Sequence, residues 1–503
     1  MTEASSEPTP PSPVSRPFGG KTVAAFGILL VLVAVPHLSD RLARFRIGHL
    51  PWEKELEEAP RWGRPAVTPP AAVPTVGETQ LSASENKGSV NNALPSTKSD
   101  ELDPEVLAKN LGSVAVDQPQ ALDAFYTSLA KTLKQDEKHV TRILHYGDSV
   151  ITSDYVSGTM RRKMQARFGD AGHGFILLAN GWDWYFHNDV SHGASSGWTA
   201  NRISGPLAKD GMYGLGGVVF HGTLGASAFF GTAQSGDYGR KVSRFDVYYM
   251  EQPNGGDVEI KVAGKEPETF STRGETVVSK VHAVEVPDGE AKLTVRAMGK
   301  GDVRLFGVAL ERDAAGVTYD ALGALGARAK MWEPMNQDHW EEQFALRKPA
   351  LIVLQFGTNE SEDGFVNQAD YEKTVGAFVD KVKAAAGRDA SVLVASPLDR
   401  AEKNAAGTMR SSKALVRLVG FQERVAKDKG VAFWNTWKAM GGEGAMGRWL
   451  NMKPQLCSGD LTHPTPAGAE VIGDLFYKAL VSGYEAWASK HPGSPPLPPE
   501  AKK

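Results

Sequence analysis

Two periodicities divide the chain. Thr141–Tyr146, Leu351–Phe356, Ser391–Ser396 and Val431–Trp434 are short, mostly apolar runs of strand length, bounded by turn residues. Between them lie helical patterns at Leu122–Leu133, Asp370–Ala385, Leu415–Lys429 and Pro466–Leu480. A further helix follows Gly147, where Tyr155, Met160, Met164 and Phe168 mark one apolar face. Buried strands alternating with helices predict a parallel sheet covered on both faces. From about Tyr213 to Glu311 the texture changes. Alternating runs at Phe245–Met250, Val258–Val262, Val277–Val286, Lys292–Val295 and Val303–Leu310 are separated by turn residues. Short strands at this spacing predict an antiparallel sandwich or jelly roll. The reading is an α/β domain interrupted by an all-β insert.

The N-terminal pattern is different again. An uncharged apolar run, Val23–Leu38, is preceded by Arg16 and Lys21 and followed by Arg41, Arg44 and Arg46. It has the length of a signal peptide core or a short signal-anchor. The chain therefore divides into a cytoplasmic tail (1–21), a signal-anchor or signal peptide (22–38) and a Pro/Ala-rich linker (39–104). The α/β domain reads as 105–210 and 314–486 around an insert at 211–313, with a disordered tail at 487–503. On this reading the bulk of the protein stands on the periplasmic side of the inner membrane, in the cell envelope. The formal net charge of −3 among 503 residues offers no basic surface for a phosphate backbone, so nucleic acid is excluded as a partner. A single cysteine, Cys457, rules out an internal disulfide and any Cys-rich metal site.

Four short segments carry candidate chemistry. Gly147-Asp148-Ser149 stands where a strand ends and a helix begins, which places Ser149 at the carboxyl edge of the sheet. Its own N–H can face a developing oxyanion. Near the C-terminus, Asp460-Leu461-Thr462-His463 precedes a helix with Thr465 as its cap and Pro466 at its first position. A serine hydroxyl needs a base to take its proton, and a carboxylate three residues before an imidazole can turn back toward Nδ1. Gly357-Thr358-Asn359-Glu360 follows the apolar strand Leu351–Phe356, so Asn359 shares the edge of Ser149 and can offer an amide N–H. Leu322-Gly323-Ala324-Leu325-Gly326-Ala327 is a small-residue loop whose glycine N–H can approach an oxyanion closely.

In this order the four segments resemble the four blocks of the SGNH (GDSL-like) hydrolase family. The resemblance covers Thr141–Ser149, Leu322–Ser396 and Asp460–Tyr484. It implies a flavodoxin-like three-layer α/β/α fold without cofactor or metal, with Ser149 as nucleophile, His463 as base and Asp460 as its orienting partner. The oxyanion hole is then the Ser149 N–H, the Gly326 N–H (with Gly323 as the alternative) and the Asn359 side chain. Arg161–Phe175, the aromatic residues after it, the β insert and the stretch Ala439–Leu450 are similar to peptidoglycan O-acetylesterases, whose insert resembles a carbohydrate-binding module. Val150 after Ser149 departs from the Gly-Asp-Ser-His of that group. The function implied is removal of O-acetyl groups from an envelope polysaccharide, peptidoglycan foremost. An O-acetyltransferase using the same triad, or a non-catalytic glycan-binding protein, is the alternative. Trp182, Trp184 and Trp198 could line a glycan groove beside Ser149, or could pack the seam between insert and hydrolase domain. His145, His173, His187, His192 and His221 show no metal-ligand spacing and read as structural.

Overall fold

The computed structural model describes Leu111, residues 113–405 and residues 407–499. The expected cytoplasmic tail, membrane segment and linker all lie outside the described residues. No helix among the described residues is long and apolar enough to cross a membrane.

Five strands form a parallel sheet: β1 (Val140–Gly147), β2 (Gly316–Gly323), β3 (Leu351–Gln355), β4 (Ser391–Ala395) and β5 (Ala432–Trp434). Their order is β2-β1-β3-β4-β5, the flavodoxin-like arrangement, with its topological switch at β1. In register, Gly147 stands opposite both Gly323 and Gln355, so three strands end together on one edge.

Side chains of successive strand residues go to opposite faces. Ile143, Val317, Val353, Leu393 and Trp434 belong to one buried cluster, completed by α1 (Asp123–Lys134), α2 (Tyr155–Phe168) and a C-terminal helix, Pro466–Ala488. Leu144, Tyr146, Ile352, Leu354 and Val394 belong to another. That second face is covered by α3 (Gln337–Arg347), α4 (Gln368–Ala386) and α5 (Lys413–Lys429). These three layers make the expected α/β/α fold. The C-terminal helix, α6 (Pro466–Ala488), is capped by Thr465 Oγ1, which accepts from the Gly468 N–H at 3.2 Å.

The all-β region consists of two antiparallel sheets. One has the order Val278–Gly289, Val242–Glu251, Val303–Glu311, Val218–Gly222 and Trp198–Arg202, with Gly174–Leu177 also pairing with Val303–Glu311. The other runs Val190–Ala194, Ser227–Thr232, Lys292–Ala297, Asp257–Val262 and Glu268–Ser271. Phe220, Phe245 and Leu305 of the first and Phe230, Ile260 and Val295 of the second share one buried cluster. Antiparallel pairing thus reaches back well before residue 211, because Gly174–Leu177, Val190–Ala194 and Trp198–Arg202 belong to these sheets.

Two elements of the α/β domain bury charged side chains. Asp320 lies in β2 and Arg347 ends α3, and both side chains are buried. Arg347 Nε donates to Asp320 Oδ2 at 2.6 Å and a second donor to Oδ1 at 2.8 Å, while Nη1 also meets Glu311. Arg142 Nη2 reaches the other Glu311 oxygen at 2.7 Å. Removing one partner of such a set strands a buried charge, at a cost of about 3–5 kcal/mol. The described part of the tail, residues 487–499, also differs from the expected disorder. Helix α6 continues to Ala488, the Tyr484 hydroxyl donates to the Pro495 carbonyl at 2.8 Å, and Leu497 packs on the core.

Candidate active site

The turn after β1 presents Ser149. The Asp148 carboxylate accepts the Val150 N–H at 3.1 Å, and the Asp148 carbonyl accepts the N–H groups of Ile151 and Thr152, both at 3.1 Å. These bonds hold Ser149–Thr152 as a single helical turn that lifts the hydroxyl to the carboxyl edge. The turn is pressed against the end of β2. A Cβ on Gly323 would lie 2.1 Å from the Thr152 nitrogen, so only glycine permits this approach.

His463 arrives from the loop before α6. Ser149 Oγ lies 2.7 Å from His463 Nε2, and His463 Nδ1 lies 2.6 Å from Asp460 Oδ2. With Nδ1 protonated, the imidazole donates to Asp460 and accepts from Ser149, the tautomer a general base requires. Asp460 Oδ1 accepts the N–H groups of Thr462 and His463, each at 3.0 Å. The loop folds back through Leu461, a non-glycine residue held in the left-handed region at φ 61°. Its carbonyl accepts the Ala401 N–H at 2.9 Å, which fixes the loop to the segment after β4.

Partial burial pushes the Asp460 carboxyl up, but the hydrogen bonds from His463 and Thr462 outweigh it, and the group falls to about 2. His463 moves the other way. Its hydrogen bond to Asp460 raises it above the usual imidazole value against the effect of burial, and the nearby Asp148 carboxyl adds to the rise. Burial raises the Asp148 carboxyl despite its backbone hydrogen bonds.

The expected oxyanion donors Asn359 and Gly326 are linked through one hydrogen bond. Asn359 Nδ2 donates to the Ala327 carbonyl at 2.9 Å, leaving its second amide hydrogen free for a ligand. Ala327 N donates to the Ala324 carbonyl at 3.0 Å, closing a turn in which Gly326 has φ 70°. Positive φ at that position favours glycine. Gly326 thus adjoins the residue that Asn359 holds, whereas Gly323 packs against the Ser149–Thr152 turn. Among the described residues, the N–H groups of Ser149 and Gly326 make no hydrogen bond to another protein group.

Glu360 is a member of this site that sequence reasoning passed over. Its buried carboxylate accepts the Ala329 N–H at 2.9 Å and the Gly357 N–H at 3.1 Å, tying the Gly326 loop to the Asn359 turn. The sequence signal was available: an acid three residues after the glycine that ends an apolar strand. Burial pushes this carboxyl up to about 7. The neutral form is therefore favoured on folding. Its contribution is complete below the unfolded value of 4.5 and is lost as pH rises through about 7. The span corresponds to about 3 kcal/mol. Denaturant unfolding across this window should show wild-type stability falling relative to Glu360→Gln as pH rises. Parallel pH–stability curves would contradict the assignment.

The three tryptophans separate. Trp182 is buried in the core with its indole N–H on Ser204 Oγ at 3.2 Å, and half-buried Trp198 donates to the Ser227 carbonyl at 3.1 Å. Of the three, Trp184 is the exposed one: the residue is 50% exposed and its ring centroid lies 6.3 Å from that of the His463 ring, edge to face. The Phe186 N–H, two residues on, donates to the Thr152 carbonyl at 3.1 Å and moors this loop to the Ser149–Thr152 turn. His145 is buried beneath the site between the Tyr319 hydroxyl at 2.8 Å and Gln355 Oε1 at 3.1 Å, and burial lowers it to about 3. His173 and His187 bond each other at 3.1 Å, and His221 bonds Asp302 at 2.8 Å. No cluster of three or more potential ligands suited to a metal occurs among the described residues.

Residues 295–471 match the model of the GDSL-like Lipase/Acylhydrolase family, a span that includes Asn359, Asp460 and His463 but not Ser149. No curated protein matches the sequence. Among solved structures, the chain is similar to a peptidoglycan O-acetylesterase at 22% identity and a TM-score of 0.61, covering 72% of this chain and 96% of that one. It also matches a family two carbohydrate esterase from Cellvibrio japonicus at 11% identity and a TM-score of 0.25, covering 59% of this chain and 99% of that one. The first likeness establishes a shared fold.

Proposed function

We propose that this chain, a serine ester hydrolase of the GDSL-like, SGNH type, removes O-acetyl groups from a cell-envelope polysaccharide, peptidoglycan, through an acetyl-Ser149 intermediate. The observation that carries the reading is the unbroken hydrogen-bonded chain from Ser149 Oγ through the His463 ring to Asp460. It stands at the sheet edge where Asn359 and Gly326 also converge. Glycan as substrate is favoured by Trp184, whose exposed ring offers a sugar an apolar face beside the base. The O-acetylesterase of like fold points the same way.

In this mechanism His463 Nε2 takes the Ser149 proton as Oγ attacks the acetyl carbonyl carbon. The tetrahedral oxyanion is held by the N–H groups of Ser149 and Gly326 and by the free Asn359 amide hydrogen. His463 then passes the proton to the departing sugar oxygen, leaving acetyl-Ser149. Water, deprotonated by the same nitrogen, attacks the acetyl group, and acetate leaves as Ser149 regains its proton. Asp460, low in pKa, stays ionised throughout and stabilises the imidazolium. The two antiparallel sheets act in this reading as a carbohydrate-binding jelly roll that presents the polymer. Val23–Leu38 anchors or exports the enzyme to the periplasmic side of the inner membrane.

Acetate quantified after incubation with O-acetylated peptidoglycan tests the reading. Release of acetate with matching loss of glycan acetyl groups is the expected result. Acetyl groups that stay on the glycan, or that move to another sugar hydroxyl without acetate appearing, would contradict it.

A further inference from the structure

Beyond the triad, the described residues form an open groove of about 1630 Å3, more than a small ligand needs. Its position follows from the loops that build it. A hairpin of Ala401–Lys403 and Met409–Ser411 forms one wall, and Gly364 and the segment around Arg448 form others. Ala401 is hydrogen-bonded to Leu461 in the His463 loop, and Gly364 ends the turn that Asn359 begins. The groove therefore flanks the site on the same carboxyl edge of the sheet.

Its lining is basic. Lys403, Arg410, Lys413, Arg417 and Arg448 face it against two acids, Glu402 and Glu443, on a chain whose formal net charge is −3. Arg448 and Arg417 are held over the groove by backbone carbonyls: Arg448 Nη2 donates to Gly441 at 2.9 Å and Arg417 Nη2 to Gly364 at 3.1 Å. Carbonyls position these guanidinium groups without neutralising them. Lys403, Arg410 and Lys413 are exposed and make no ion pair among the described residues. A local excess of cations beside an ester-hydrolysing site attracts anionic substrate.

A neutral glycan backbone gives these cations nothing to pair with, whereas the peptide stems of peptidoglycan end in carboxylates. We propose that the groove is a subsite for the carboxylate-bearing peptide stem of the acetylated strand, so that the enzyme reads stem and acetyl group together. The inference rests on the peptidoglycan reading above.

The test uses the full chain and a Lys403→Glu, Arg410→Glu double variant. Substrates are O-acetylated glycan strands with intact stems, the same strands stripped of stems by an amidase, and a small acetyl ester. The double variant should lose about tenfold in kcat/KM on stem-bearing strands, while stripped strands change by less than about twofold and the small ester is unaffected. Added salt should erase the wild-type preference for stems. Equal wild-type rates on both polymers, or equal losses in the variant, would overturn the subsite. Acetate from the small ester but from neither polymer is the separate failure of the substrate reading. Co-sedimentation with unacetylated strands then decides the groove: stronger retention of wild type than of the variant upholds it, and equal retention overturns it.

Discussion

Replacing His463 with alanine is expected to lower kcat for ester hydrolysis by about 10⁴-fold or more, with the fold unchanged. The effect is large because the Ser149 hydroxyl is a poor nucleophile until its proton is taken, and Nε2 at 2.7 Å is the group placed to take it. Little packing is lost, since His463 sits at a partly exposed edge. Ser149→Ala should fall to the same floor, and the double variant no lower, because base and nucleophile act as one unit. The wild-type pH profile carries a second signature. The base works only when neutral, so kcat/KM declines as pH falls through its pKa. Asp460 raises that pKa, so the acid limb lies above the ordinary imidazole value. Steady-state kinetics with a small acetyl ester, alongside circular dichroism, check both. Turnover within tenfold of wild type in either single variant would contradict the triad.

Asn359→Ala is expected to cost about 10²- to 10³-fold, mainly in kcat. Two losses combine. One donor to the oxyanion disappears, and the Ala327 carbonyl loses the 2.9 Å bond that fixes the Gly326 turn. The oxyanion exists only in the transition state and the tetrahedral intermediate, so ground-state binding should change little. An effect confined to KM, with kcat preserved, would place Asn359 in substrate binding instead. Asn359→Asp should be at least as damaging, because it sets a carboxylate where negative charge develops.

Much of this site was readable in the sequence because its chemistry sits at ends of strongly patterned elements. Leu351–Gln355 and Ser391–Ala395 are apolar enough to be assigned as buried strands, and their ends locate Asn359 and the loop after β4. The Thr465 cap with Pro466 fixed the start of α6 and hence the position of His463. What stayed hidden was buried polarity. Strand β2 carries Asp320 and helix α3 buries His339, Gln343 and Arg347, so neither shows a clean apolar stripe, and their stability comes from pairing across the fold. The early antiparallel strands escaped for the opposite reason. Val190–Ala194 and Trp198–Arg202 are half-exposed and polar, and only their partners define them. The tryptophan-rich stretch could not be sorted by spacing alone, because exposure of Trp184 and burial of Trp182 depend on where β1 and the antiparallel sheets place the intervening loop. Glu360 was missed because a buried carboxylate that accepts backbone N–H groups looks, in sequence, like one more turn residue.

The account depends most on Ser149 becoming covalently acetylated, and rapid-quench intact-mass analysis with an activated acetyl ester, followed by peptide mapping, tests that directly. One acetyl group on the peptide containing Ser149, absent from Ser149→Ala, is the predicted result. Full steady-state turnover with no adduct at Ser149, or an adduct that persists in the alanine variant, would contradict it.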